Sequence, residues 1–287
     1  MSRCWQWVAP TIIVILLSGS PPVEAQTPQV NGIAHVAFRV ADLERERGFF
    51  RVLGFEEAFS LTEGGKPTEI FVKINDHQFI ELYPSKDANS SLGLMHVCYE
   101  SDSLDELNAL YLSRGLKISA VVKGGAGNLI TSLHDPDGNL IEFTQYLPGS
   151  RHFEDRGKHL SRTRISDEVQ GITLRVSDLA TASQFYTAKL GFEQIAGIAA
   201  GRLRISTDSD EWIDLEPATP GSKPQLAFRV SSAERAAAQL RHLGLKSNST
   251  NHGVTVEDPE GNVFAFLESR SHTDSKSMRS APRPDGR

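Results

Sequence analysis

The sequence predicts an α+β protein built from tandem βαβββ modules, and three observations carry that reading. GIAHVAFRVADLERERGFFRVLGFEEA, from Gly32, lies over GLMHVCYESDSLDELNALYLSRGLKIS, from Gly93, without a gap. At the same offset of 61 residues, NDHQFIELYP falls on PDGNLIEFTQ. The pattern then recurs downstream, where DPEGNVFAF matches DPDGNLIEF. Repetition of one supersecondary unit means that each copy buries its apolar face against another.

The chain opens with MSRCWQWVAPTIIVILLSGSPPVEAQ. Arg3 precedes an apolar run from Val8 to Leu17, and a polar, proline-bearing stretch ends in VEA. This is the layout of a secretory signal peptide over residues 1–25, cleaved after Ala25. The run is too short to span a bilayer comfortably. The mature protein is therefore expected to be secreted or periplasmic, with no membrane contact after cleavage. Cys4 leaves with the leader, so Cys98 stands alone and no intrachain disulfide is expected.

The first module starts with a strand from Gly32 that carries His35. Leu43, Phe50 and Leu53 then share one face of a helix that stops at Gly54. Asp76-His77 marks a turn before the closing strand FIEL, with Glu81 inside it. The second module repeats this order. His96 sits in a pleated strand with Leu94, Val97 and Tyr99. Leu104, Leu107, Leu110 and Tyr111 line a helix that stops at Gly115, Asp137-Gly138 turns, and LIEF carries Glu142. Cys98 shares the face of His96 and reads as a small buried hydrophobe. Together these modules span residues 32–146.

LPGSRHFEDRGKHLSRTRISDE follows. It is charged and poor in apolar residues, so residues 147–167 are expected to be a solvated linker with His152 and His159 on its surface. Residues 168–268 repeat the first domain. GITLRVSDLATASQFYTAKLGFEQ starts its first unit, and QLAFRVSSAERAAAQLRHLGLK starts its second. Residues 269–287 are rich in Ser, Pro and Arg and are expected to be disordered. The formal net charge is −6 and no basic stripe occurs, which argues against a nucleic-acid partner.

The repeat gives the chemistry a shape. His35 is to Glu81 as His96 is to Glu142, and both spacings are 46 residues. A charge buried in an apolar strand is costly unless it is paired. Two imidazoles and two carboxylates that converge when the modules pair would hold a divalent metal.

These segments resemble the vicinal oxygen chelate superfamily, which includes glyoxalase I, methylmalonyl-CoA epimerase, extradiol dioxygenases and fosfomycin or bleomycin resistance proteins. The resemblance implies that each domain is an incomplete barrel of mixed sheet with flanking helices. It also implies that His35, Glu81, His96 and Glu142 ligate one metal ion, with Zn, Ni, Co, Mn and Fe not distinguished. A small oxygenated substrate would chelate that ion through vicinal oxygens, and the ion would stabilise an enolate-like intermediate. Glu81 or Glu142 would be the base of a lyase or isomerase. An extradiol ring-cleaving dioxygenase using Fe(II) is the alternative. It needs only His35, His96 and Glu142, which leaves Glu81 surplus. A non-catalytic, resistance-type binding protein is a further alternative. His134, in SLHDPDGN, reads as a surface residue near the last turn.

In the second domain His35 corresponds to Gly171, Glu81 to Asp214, His96 to Gln225 and Glu142 to Ala265. One carboxylate cannot hold a metal alone, so this domain is expected to be metal-free. Glyoxalase I joins ligands from different chains or from both domains, whereas here one contiguous half carries all four, and a homodimer is a possible assembly.

Overall fold

A computed structural model describes residues 30–87, 90–195, 201–205 and 209–268. The expected signal peptide at 1–25 and the expected tail at 269–287 lie outside the described residues.

The first module forms β1 (Val30–Val40), α1 (Leu43–Val52), β2 (Glu56–Glu63), β3 (Lys66–Lys73) and β4 (Phe79–Pro84). The second forms β5 (Gly93–Ser101), α2 (Leu104–Ser113), β6 (Val122–Lys123), β7 (Leu129–His134) and β8 (Leu140–Gln145). They share one eight-stranded sheet in the order β2-β3-β4-β1-β5-β8-β7-β6. Each module closes on itself through a parallel pair, β1 with β4 and β5 with β8. The modules join through antiparallel β1 and β5 at the centre. That closure puts four strands with inward-facing side chains side by side.

The chain then passes through the single turn α3 (Arg151–Glu154) into β9 (Val169–Val176), α4 (Leu179–Gln184), β10 (Glu193–Gln194), β11 (Arg202–Arg204) and β12 (Trp212–Pro217). It finishes with β13 (Gln225–Val230), α5 (Ala233–His242), β14 (Ser247–Thr250), β15 (Gly253–Glu257) and β16 (Val263–Glu268). These strands form a second eight-stranded sheet of matching order. The tandem βαβββ architecture is therefore as the repeat implied.

Local chemistry sets the helix ends. The Asp42 carboxylate accepts from Arg45 N at 3.0 Å and caps α1. Gly54, at φ 85°, takes the left-handed turn that stops it. In the second half one residue more separates Leu179 from Gly191 than separates Leu43 from Gly54. The extra residue is absorbed by a π-helical stretch, Phe185–Leu190, that continues α4.

One apolar core joins the two halves. Phe49 and Phe50 of α1 pack on Phe264 of β16, with ring centroids 5.8 and 5.5 Å apart. In return Phe192, from the second half, meets Tyr99 of β5 at 5.3 Å. Each half thus lays its first helix or the following turn on the other half's sheet. Along the four central strands of the first sheet the side chains alternate. Val36, Phe38, Ile80, Leu82, Val97, Tyr99, Ile141 and Phe143 enter the shared core. His35, Glu81, His96 and Glu142 point to the opposite, concave face.

The joining segment departs from expectation. His152, Asp155, Ile165 and Ser166 are buried rather than solvated. The reason is a set of partners that lie far off in sequence. His152 packs edge-on against Phe59, Phe71 and Phe79 and stacks on Tyr146. Asp155 pairs with the wholly buried Lys73 ammonium at 2.8 Å. His159 remains on the surface, where its Nδ1 meets Asp155 at 2.6 Å. His134 is exposed, as expected.

Candidate metal centre

Strand register brings the four repeat residues together. His35 lies opposite Phe79 and Cys98, and Ala37 lies opposite Glu81 and His96. Cys98 in turn faces Glu142 on β8. His35 Nδ1 is 3.2 Å from Glu81 Oε1, and His35 Nε2 is 3.4 Å from Glu142 Oε1. His96 Nε2 lies 3.7 Å from Glu81 Oε2 and 3.0 Å from His35 Nε2.

The electrostatics suit a cation. Burial pushes His35 down to about 4, only partly opposed by the Glu81 carboxylate, and burial also lowers His96. Both rings are neutral near pH 7, with lone pairs free to coordinate. Burial raises Glu81 and Glu142, whose neighbouring histidines pull the other way. His96 Nδ1 is buried without a hydrogen-bond partner, and His35 Nδ1 has only the Glu81 contact at 3.2 Å. Two nitrogens and two carboxylates packed this closely, with the buried His96 Nδ1 left unpaired, fit a divalent ion. Two triads among the described residues have metal-ligand spacing, His35–Glu81–His96 and His35–Cys98–Glu142. Cys98 is wholly buried, and that burial holds its thiol well above the usual range, so it stays protonated.

The residues around this cluster were not singled out from the sequence. Tyr83 Oη lies 2.6 Å from Glu69 Oε1 and 3.1 Å from Glu81 Oε2, so its one hydroxyl proton is shared between the two carboxyl groups. Burial, reinforced by the Glu81 charge, raises Glu69 to about 8, so it carries a proton at neutral pH. Period-2 alternation from Glu81 to Tyr83 was the available signal, and Glu69 sits across the β3–β4 pair from Tyr83. His152 and Asn128 complete the wall of a cavity of about 160 Å³ that also holds His35, Glu81 and Glu142.

The second sheet places Gly171, Asp214, Gln225 and Ala265 at the matching register positions. The Trp212 indole lies against Gly171, where a Cβ would overlap it. Asp214 is held by Arg202, whose guanidinium stacks on Trp212 at 4.2 Å. An indole and an internal ion pair therefore sit where the His–Glu cluster lies in the first half.

Comparison with known proteins gives the family. The family model described as Glyoxalase/Bleomycin resistance protein/Dioxygenase superfamily matches residues 32–143 and 168–266, and the chain belongs to that family. It is 23% identical over 277 residues to catechol-2,3-dioxygenase of Bacillus subtilis (strain 168), covering 81% of this chain and 95% of that protein. Two solved structures share the fold. The Mn(II)-bound glyoxalase from Novosphingobium aromaticivorans has a TM-score of 0.63 at 20% identity, covering 84% of this chain and 83% of that one. The 2,3-dioxygenase LapB from Pseudomonas sp. KL28 has a TM-score of 0.65 at 19% identity, covering 91% and 96%. Among the described residues no helix is long and apolar enough to cross a membrane.

Proposed function

We propose that the chain is a divalent-metal-dependent enzyme that binds a small substrate through two neighbouring oxygens and catalyses a redox-neutral lyase or isomerase reaction. One observation carries this reading. Glu81 is a buried fourth donor within 4 Å of both imidazoles, rather than a surplus carboxylate. A bound divalent ion would supply Lewis-acid polarisation of the substrate oxygens. His35 and His96 would hold the ion as neutral ligands. Glu81 is clamped by Tyr83 and by both histidines and serves as a fixed ligand. Glu142 is the more open carboxylate, its side chain 17% exposed against 4% for Glu81. It is placed to remove a proton from carbon beside the chelating oxygens and to return it. Export through residues 1–25 belongs to the same proposal and would put the substrate outside the cytoplasm.

A second reading has its own support. The B. subtilis relative, named as a catechol-2,3-dioxygenase, matches this chain over nearly its whole length. His35, His96 and Glu142 would then hold ferrous iron, and Glu81 would act beside the ion rather than on it. Metal analysis of the mature protein separates the two, followed by oxygen uptake with catechol and proton exchange with α-hydroxyketones. One equivalent of manganese, zinc, nickel or cobalt with solvent proton exchange supports the first reading. Iron with oxygen consumption replaces it by the second. Absence of metal after reconstitution rules out both.

A further inference from the structure

His152 comes from the joining segment, outside the repeated modules, yet it lines the same cavity as His35, Glu81 and Glu142. Its tautomer can be read from its neighbours. Leu147 N donates to Asn128 Oδ1 at 3.3 Å, which turns the Asn128 amide nitrogen towards His152. That nitrogen donates to His152 Nδ1 at 2.8 Å. Nδ1 is therefore an acceptor, and the ring proton sits on Nε2. Burial lowers the ring to about 3, so it is neutral with a single N–H. His152 is only 4% exposed, and its Nε2 has no hydrogen-bond partner. Leaving a buried donor unpaired is costly, and the surrounding phenyl faces are weak acceptors at best.

We propose that His152 is a substrate-binding residue whose Nε2–H donates to an oxygen of the ligand chelated in this cavity. The inference rests on the proposed metal-dependent reading and adds a recognition element to it. The ligand class follows from the wall. At about 160 Å³ the cavity suits a single small ring or a compound of that size. Glu69, Glu81 and Glu142 line it, and no lysine or arginine does so among the described residues. A substrate with an acceptor oxygen and no further carboxylate fits this wall. Phe71 and Ile130 supply the apolar side.

The test uses the zinc-loaded mature protein and 4-nitrocatechol, a chromophoric ligand with two vicinal oxygens. His152→Phe keeps the ring packing and removes the donor. The expected result is unchanged zinc stoichiometry with 4-nitrocatechol bound about tenfold more weakly, the value of one net hydrogen bond. Equal affinity in both proteins overturns the proposal. If the variant does not fold, ¹⁵N-labelled wild type replaces it. The Nε2–H resonance of His152 should be present and should shift when 4-nitrocatechol is added, and a resonance that does not move overturns the proposal. Zinc uptake without 4-nitrocatechol binding by the wild type sinks this inference but leaves the metal site standing. No zinc uptake at all removes the underlying reading together with it.

Discussion

His35 and His96 bring their Nε2 atoms to 3.0 Å of each other from antiparallel strands of two different modules. Burial keeps both rings neutral, so nothing but a weak N–H···N contact joins them in the absence of an ion. Glu81 and Glu142 close round the same point. Removing one imidazole takes away one of the two nitrogen donors and leaves a weaker set of one nitrogen and two carboxylates. His96→Ala should lose its metal, and with it at least about 10-fold to 100-fold in turnover, since even changes outside the ligand set cost that much. Elemental analysis beside the wild type checks this. A full equivalent of metal in the variant would mean that the ion, if any, sits elsewhere.

Tyr83 bridges Glu69 and Glu81 with its one hydroxyl, so it restrains the direction of the Glu81 carboxylate. Groups that orient ligands without touching the ion typically matter by about 10-fold to 100-fold in metal affinity or activity. Tyr83→Phe should therefore weaken metal binding or activity within that range while leaving the fold intact. Glu69→Gln should be milder, because Glu69 is already protonated near neutral pH and an amide can still accept from Tyr83. Metal dissociation constants for the two variants test the order. A Glu69→Gln effect larger than that of Tyr83→Phe would contradict it.

How much of this was legible in the sequence depends on the kind of contact. The four repeat residues could be found because β-pairing copies one register twice, so His35 and Glu81 forecast His96 and Glu142. Glu69 needed knowledge of the β3–β4 register, which the loop between those strands sets and residue spacing does not. The charged RHFEDRGK predicts a solvated His152, whereas three of its aromatic partners, Phe59, Phe71 and Phe79, lie far upstream in the first module. The exchange of helices between halves was equally hidden. The apolar stripe with Phe50 says that α1 packs on something, and only the fold shows that Phe264 of the other half is included.

Glu46 supplies a pH dependence that is independent of any metal. It lies on α1 with a buried carboxylate close to Asp258 and Glu260 of the second half, where the Glu260 backbone only partly compensates it. Burial, reinforced by the Asp258 charge, raises it from 4.5 to about 8. Native Glu46 thus holds its proton more tightly than unfolded Glu46 does. The resulting stabilisation is complete below about 4.5, declines as pH rises, and is lost above about 8. Glu46→Gln cannot ionise, so its melting temperature should gain on that of the wild type as pH rises from 5 to 9, by several degrees at the top of this window. A constant difference across the series would mean that Glu46 keeps its ordinary acidity.

The joining segment is held down by one buried cation. Lys73 Nζ has no exposed surface and reaches Asp155 Oδ2 at 2.8 Å, the Asp155 carbonyl at 2.6 Å and Asp76 Oδ1 at 2.8 Å. Asp76 is the more exposed of the two carboxylates, so Asp155 provides most of the shielded compensation. Taking away one partner of a buried pair costs about 3–5 kcal/mol, because the remaining charge stays desolvated. Asp155→Ala should therefore lower unfolding stability by about 3 kcal/mol, at the low end since Asp76 persists. The His152 side chain, three residues upstream, should become more accessible. Lys73→Met combined with Asp155→Leu removes both charges and should recover most of the loss, as replacement of a buried pair by apolar side chains often does. Chemical denaturation of the three variants decides it. A double variant as unstable as Asp155→Ala would show that shape at the Asp155 position, rather than the unpaired ammonium, anchors the segment.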